Sequence, residues 1–390
     1  MNLRKIQPER IFTGVELLDP RQVLIIDSSG KIIDIIPATE AGEGIETISG
    51  WISPGFINCH CHLELSHLAG QIPEKTGLSR FVEKVMSSRD TSAEQQWEAM
   101  QANDQLMWQS GIQAVGDISN RTDSIRIYEQ TRLTYHHFIE VSGWMPKVAQ
   151  KRYEQACHNL EVFLQQTNRV SLVPHAPYSV SPDLWNLLVP HFSGRPVTIH
   201  NQESLAEQLL FERGEGDWPA FFRDWQIDHT HFHPTGSSSL QSVFPYLESA
   251  ASLLLVHNTY TTSADIEWVK KRHSSVYWCL CPKANQYIEH KLPPVDLLRQ
   301  QGCTLVLGTD SLASNHSLSI LDEMKILSAS FPAIAAEEML RWATSQGASA
   351  LQLDNQLGRL TPGKSPGILQ IDNLDSAGRI HADTRVTRWW

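Results

Sequence analysis

Pro54-Gly55-Phe56-Ile57-Asn58-Cys59-His60-Cys61-His62-Leu63-Glu64 reads as an apolar strand that ends in two histidines. Strand residues alternate faces, so His60 and His62 share one face while Cys59 and Cys61 take the other. Two imidazoles at i and i+2 on one face can share a metal ion, or hydrogen-bond as a core pair. Along the chain the same rhythm of apolar run, loop and helix recurs. Eight runs qualify: 55–61, 111–118, 135–141, 171–175, 196–200, 252–257, 275–280 and 303–308. Apolar runs of this length suit parallel strands buried on both faces. Helical stretches between them fall at 79–87, 93–109, 150–166, 183–188, 264–271 and 294–301. Eight β/α units in about 260 residues predict an α/β fold, a (β/α)8 TIM-type barrel.

The flanks read differently. Residues 10–13, 22–27 and 31–36 are short β-rich runs, with Asp27-Ser28-Ser29-Gly30 as a hairpin turn, and 367–371 and 385–387 repeat the style. The expected organisation is a small β-sandwich domain built from both termini, residues 1–52 plus 355–390, around a barrel at residues 53–354.

Composition narrows the function. Apolar residues make up 41% and charged residues 19%, enough for a sizeable core. With 32 Lys and Arg against 43 Asp and Glu, the net charge is −11. So acidic a chain, with no basic run, is unsuited to gripping a phosphate backbone or anionic lipid, which points to a small-molecule substrate. No stretch reaches the roughly 18 apolar residues of a membrane span, and no signal-peptide pattern opens the chain, so a cytoplasmic enzyme is expected. Six cysteines are too few for a disulfide scaffold, and the x-Cys-x-Cys spacing of Cys59/Cys61 and Cys279/Cys281 is wrong for a zinc ribbon. They read as small buried hydrophobes. Trp389-Trp390 forms an apolar end, suited either to a homodimer interface or to packing on the terminal strands.

Barrel active sites lie at the C-terminal ends of the strands. There the sequence places His175, then His200 with Glu203 three residues on, then His257, then Asp310 in Gly308-Thr309-Asp310-Ser311. Together with His60 and His62 these could form a site of three histidines and one aspartate for a zinc or iron ion, beside a proton-carrying carboxylate. His229, His231 and His233 share a loop with Pro234 and Gly236, a context for lining a mouth or meeting solvent. Serine-hydrolase elbows, phosphate loops and dinucleotide fingerprints are all missing.

These motifs, with Cys281-Pro282-Lys283-Ala284-Asn285, the run Gly308 to Asn315 and the tail Gly358-Arg359-Leu360-Thr361-Pro362-Gly363-Lys364, make the chain resemble the amidohydrolase superfamily in its aromatic deaminase and chlorohydrolase branch. The resemblance spans nearly the whole chain. It implies that His60, His62, His200 and Asp310 bind one divalent ion, Zn2+ or alternatively Fe2+. It also implies that Glu203 shuttles protons, that His257 orients or polarises the attacking water, and that Asp310 doubles as a proton acceptor. Binuclear members carry a carboxylated lysine at the end of strand four. Here that strand reads Leu172-Val173-Pro174-His175, which implies a single ion. The resemblance further implies substrate contacts from His175 and Tyr178, with Arg80 and Glu83 as candidates for the sugar or tail. Leu63-Glu64-Leu65-Ser66 looks most like aminodeoxyfutalosine deaminases of menaquinone biosynthesis. S-adenosylhomocysteine and methylthioadenosine deaminases come next, and guanine or cytosine deaminases and triazine chlorohydrolases share the same metal set.

Overall fold

The computed structural model describes residues 3–88 and 91–390. Sixteen strands are present among them. Six precede the first histidine pair: β1 (Arg4–Gln7), β2 (Arg10–Ile11), β3 (Gln22–Ile26), β4 (Ile32–Pro37), β5 (Ile45–Thr47) and β6 (Trp51–Pro54). Eight follow in the central region: β7 (Phe56–Cys61), β8 (Ile112–Ser119), β9 (Thr134–Val141), β10 (Val170–Pro174), β11 (Pro196–Asn201), β12 (Ser252–His257), β13 (Val276–Leu280) and β14 (Thr304–Leu307). The last two are β15 (Ile368–Asp372) and β16 (Arg385–Arg388).

The central eight form two parallel sheets, in the orders β10-β9-β8-β7 and β11-β12-β13-β14. Each of the eight runs expected from the sequence is a strand, displaced by at most one residue at either end. Every residue of β7, β11 and β12 is buried, because helices cover the outer faces of these strands. Burying a Leu or Val side chain contributes about 1.5–3 kcal/mol, so the run Leu253-Leu254-Leu255-Val256 is a strong anchor for the residue that ends it. Backbone hydrogen bonds link the two sheets at both edges. His200 N donates to His175 O at 3.0 Å, and Thr309 N and Asp310 N both donate to His60 O at 3.0 Å. Four strand ends, those leading to His60, His175, His200 and Asp310, are thereby linked in pairs through the main chain.

The terminal strands make two further sheets, β4-β3-β1-β5 and β16-β15-β6-β2. β15 runs antiparallel to β6, so the end of the chain pairs with the residues just before the first histidine pair. Ile6, Leu24, Ile26, Ile52 and Ile368 form a separate apolar cluster there, and Trp389 and Trp390 pack against it beneath the Arg4 guanidinium. The change of sheet falls at Gly55, where a Cβ would meet Gln113 Cβ at 2.7 Å and Pro366 O at 2.9 Å. Cys59, Cys61, Cys279 and Cys281 are free and buried, and Cys59 Sγ faces Gly347 O of the outer helical layer at 3.8 Å. Among the described residues no helix is long and apolar enough to cross a membrane.

Candidate functional site

The strand ends converge on one buried cluster. His60 Nε2 and His62 Nε2 are 3.2 Å apart, and Asp310 Oδ1 lies 3.6 Å from the first and 3.3 Å from the second. His60, His62 and His200 each offer a nitrogen within 4.8 Å of the others. Next to them, His257 Nε2 lies 3.0 Å from His200 Nδ1 and 3.5 Å from Glu203 Oε1. All six residues are at most 6% exposed.

The backbone is bent to make this arrangement. Gln202 (φ 46°), His257 (φ 76°), Asn258 (φ 59°) and Asp310 (φ 57°) are left-handed at the ends of β11, β12 and β14. Such conformations cost about 1–3 kcal/mol each for residues other than glycine and survive where surrounding bonds over-determine them. Those bonds are present. Glu207 accepts the backbone N–H groups of Gln202 and Glu203, while Asp265 accepts from the Gln202 amide at 3.0 Å. Together they hold the turn that projects Glu203. Ser314 Oγ donates to Asp310 Oδ2 at 2.5 Å. Asn285 Nδ2 lies 3.2 Å from His257 Nδ1 and donates to it, so the His257 proton sits on Nε2, between His200 Nδ1 at 3.0 Å and Glu203 Oε1 at 3.5 Å. Gly308, just before this turn, has no room for a Cβ, which would lie 2.9 Å from His60 Cβ.

Burial and charge set the protonation states. Burial pushes the His62 imidazole down to about 3, and it also lowers His60 and, further, His257. These rings are neutral and offer lone pairs. Burial opposes ionisation of Asp310, but the hydrogen bond from His60 and the polar rings of His62 and His257 around it hold it well below the usual carboxylate range. Glu203 goes the other way: burial, helped by Asp310 and Glu207, lifts it well above its ordinary value against the pull of His200, which favours its protonated form. Two carboxyl groups in one cluster are thus pushed in opposite directions, the pattern of divided acid and base roles.

A divalent ion fits this set. Tetrahedral coordination with bonds of about 2.0–2.2 Å puts donors roughly 3.3–3.6 Å apart, close to the 3.2, 3.3 and 3.6 Å separations of His60, His62 and Asp310. A carboxylate among imidazole nitrogens in a dry interior is costly unless a proton or a cation lies between them, and these donors leave room for the cation.

The remaining expected residues are placed as follows. His175 follows β10 and packs 4.9 Å from the His200 ring; Tyr178 meets His175 edge-on and stacks on Trp218 at 4.1 Å. Arg80 and Glu83 lie exposed on the helix Leu78–Ser87, which packs against the helices Asp217–Asp224 and Pro282–Glu289. Among the described residues neither side chain hydrogen-bonds to the cluster.

Two carboxyl groups, one in the cluster and one beside the strand ends, escaped the sequence reading. Glu140, on β9, puts Oε1 3.4 Å from His200 Nε2. Burial would raise its carboxyl, yet His175, His200 and His62 hold it far below the ordinary range; in turn Glu140 overrides the effect of burial on His200 and raises that ring to about 9. Strand alternation contained the signal, since Glu140 shares its face with His136 and Phe138 and lies one residue from the strand end. Glu64, just past His62, accepts from Asn120 N, and burial lifts its carboxyl to about 8.

Comparison with known proteins agrees with this geometry. The family model described as the amidohydrolase family matches residues 51–385. A Helicobacter pylori relative called adenosine deaminase is 26% identical over 308 residues, covering 77% of this chain and 74% of its own. A Nitratiruptor relative called aminodeoxyfutalosine deaminase is 24% identical over 393 residues, covering 95% of this chain and 91% of its own. The crystal structure of Helicobacter pylori aminofutalosine deaminase in complex with methylthio-coformycin superposes with a TM-score of 0.82 at 22% identity, over 95% of this chain and 92% of that one.

Proposed function

This chain belongs to the amidohydrolase family, and from that membership we propose that it is a metal-dependent hydrolytic deaminase acting on the exocyclic amine of a 6-aminopurine nucleoside. The observation that carries the reading is the meeting of a proton-bearing carboxyl, Glu203, with His257 and with the convergent His60, His62 and Asp310. In this reading the two parallel sheets close as one TIM-type barrel, and the terminal strands, residues 1–52 and 355–390, form the accessory β-domain.

His60, His62, His200 and Asp310 would hold a single divalent ion; imidazole and carboxylate donors suit zinc, with iron as the alternative. When bound, the ion supplies Lewis-acid activation, lowering the pKa of the attacking water from 15.7 towards about 7. The chain's own groups do the rest. His257, with its proton on Nε2, orients the water beside Glu203. Glu203 gives its proton to the ring nitrogen next to the carbon under attack, so charge does not build up there. Asp310, whose Oδ2 is held by Ser314, accepts the proton that the water gives up. A tetrahedral carbon bearing both hydroxyl and amine results; Asp310 passes its proton to the amine, the hydroxyl returns a proton to the Glu203 carboxylate, and ammonia leaves as the carbonyl forms.

The named substrate we propose is aminodeoxyfutalosine, an intermediate of menaquinone biosynthesis, with the protein acting in the cytoplasm. Its support is the Nitratiruptor relative, which matches this chain over most of its length, together with the Leu63-Glu64-Leu65-Ser66 text after the histidine pair. His175 and Tyr178 would line the purine's approach, and Arg80 and Glu83 would meet the sugar or tail from the neighbouring helix. The test is ammonia release by zinc-loaded protein. Its panel holds aminodeoxyfutalosine, methylthioadenosine, S-adenosylhomocysteine, adenosine, guanine, cytosine and a chlorotriazine. Fastest turnover of aminodeoxyfutalosine is expected. A preference for the thioethers moves the assignment within the nucleosides, while turnover of guanine, cytosine or the triazine alone overturns the purine nucleoside reading.

A further inference from the structure

His62 lies past the end of its strand, so sheet register alone does not fix it as it fixes His60. A short helical turn, Leu63–Leu68, begins directly after it, and the His62 side chain does not cap that turn. The first backbone N–H groups of such a turn have no partner inside it and need an acceptor from elsewhere. Asp117 on β8 supplies one, since Leu63 N donates to Asp117 Oδ1 at 3.0 Å. On the other side of His62, Cys61 pairs with Asp117 in the parallel register of β7 and β8. One residue thus holds the chain both before and after His62.

Asp117 is itself fixed. It lies beside His137 of β9 in the sheet register, and the His137 ring packs against Phe163 of the helix Ala149–Leu164 at 4.6 Å. The carboxyl therefore sits on the helix-covered face of the sheet, behind the wall that carries the metal-binding histidines. Ser119 Oγ gives its one proton to Asp117 Oδ2 at 3.1 Å, so it accepts from His137 Nδ1 at 3.1 Å. Asp117, Ser119 and His137 are at most 1% exposed. The order of these bonds is the reverse of a serine nucleophile, whose hydroxyl gives its proton to the histidine. Closed to solvent and bonded in this order, the three residues are an anchor, not a second reactive centre. A buried carboxyl is costly unless hydrogen bonds repay it, and here the bond to Leu63 N is the one that reaches the site.

We propose that Asp117 is a positioning residue for the metal site. Through Leu63 N it sets the direction in which the chain leaves β7, and so the aim of the His62 imidazole. The inference rests on the reading of His60, His62, His200 and Asp310 as ligands of one ion. It gives Asp117 no contact with that ion or with the substrate.

Zinc affinity, read by competition with a chelator, tests this together with unfolding temperatures measured with and without zinc. D117A should bind zinc about 10–100-fold more weakly, the scale on which sites respond to losing partners that orient their ligands. The rise in unfolding temperature that zinc produces should shrink in the same variant. D117N keeps an oxygen for Leu63 N and turns its amide to Ser119 Oγ, which can then donate to His137 Nδ1. Its zinc affinity should stay within about threefold of the wild type, well inside that range. If D117A does not fold, D117V, which suits a buried strand and also lacks the acceptor, carries the same comparison. Unchanged zinc affinity without the acceptor overturns the role and leaves the metal centre standing. So does a lower unfolding temperature with the zinc-induced rise intact, which marks a purely structural residue. D117N as weak as the variant without an acceptor overturns the hydrogen bond as the means. A wild type that binds no zinc overturns the metal centre itself, and this inference with it.

Discussion

His60 near the end of β7 and His62 just past it, and His229, His231 and His233 in the segment after the helix Asp217–Asp224, share the same alternate spacing. Their surroundings differ completely. The first pair ends a fully buried strand whose main chain is bonded to the Asp310 turn, so both rings converge on a carboxylate within 3.6 Å. The second set lies on irregular backbone, where His231 packs edge-on against Trp144 at 5.3 Å, His229 tilts against Phe222 at 5.5 Å and His233 is exposed. Among the described residues none of these three joins a group that could hold an ion. Spacing alone therefore does not make a ligand pair. A regular strand with fixed register, and an acid brought to the same point, does.

The sharpest way to break this comparison is to remove a ligand from each set. His60→Ala or Asp310→Ala should empty the metal site and lower turnover beyond the roughly 10²–10⁴-fold that general acid–base groups supply. Elemental analysis reads the first effect and ammonia release the second. Unchanged metal content in either variant would take that residue out of the site.

Glu203→Gln separates proton handling from metal binding within the converging region. The amide keeps the shape and the hydrogen-bond reach but has no proton to give at neutral pH. Turnover should fall by about 10²–10⁴-fold while metal content stays that of the parent. Near-native turnover would remove Glu203 from the proton path.

Regular segments were the legible part of this molecule. β7, β11 and β12 are continuous apolar runs, and a polar residue that ends such a run declares its position at the rim; His60, His62, His200, His257 and Asp310 were all visible in this way. Glu140 was not, because it sits within its strand rather than after it. Asn285 and Ser314 stood within recognisable text, but nothing in one dimension joins Asn285 to His257, 28 residues away. The left-handed turns at Gln202, His257 and Asp310 were equally hidden, since none of these residues is glycine and the bonds that hold the turns come from elsewhere in the fold.

Asn285→Ala sharpens the same contrast one layer out. Without the amide, the His257 proton is free to move to Nδ1, and the ring no longer presents N–H towards Glu203. A loss of about 10–100-fold in turnover is expected, the usual range for partners that orient a site. Metal content and unfolding temperature should stay close to the parent values. If turnover holds and only stability drops, Asn285 is a packing residue and the assigned tautomer of His257 is wrong.

The smallest effect belongs to the other histidine segment, and it tests the comparison from its quiet side. His231 contributes a ring edge to Trp144, which itself stacks on Phe222 at 5.1 Å, so the segment is held by aromatic packing. His231→Ala should cost about 0.5–1.5 kcal/mol of stability, the scale of one aromatic pair, and leave metal content and turnover untouched. His231→Phe keeps the ring and loses the nitrogens, so it should recover most of that stability. Were His231 a ligand, the outcomes would invert: Phe would be as harmful as Ala, and metal would be lost with either. Two substitutions at one position thus distinguish a packing ring from a donating one, a distinction that alternate spacing alone cannot make.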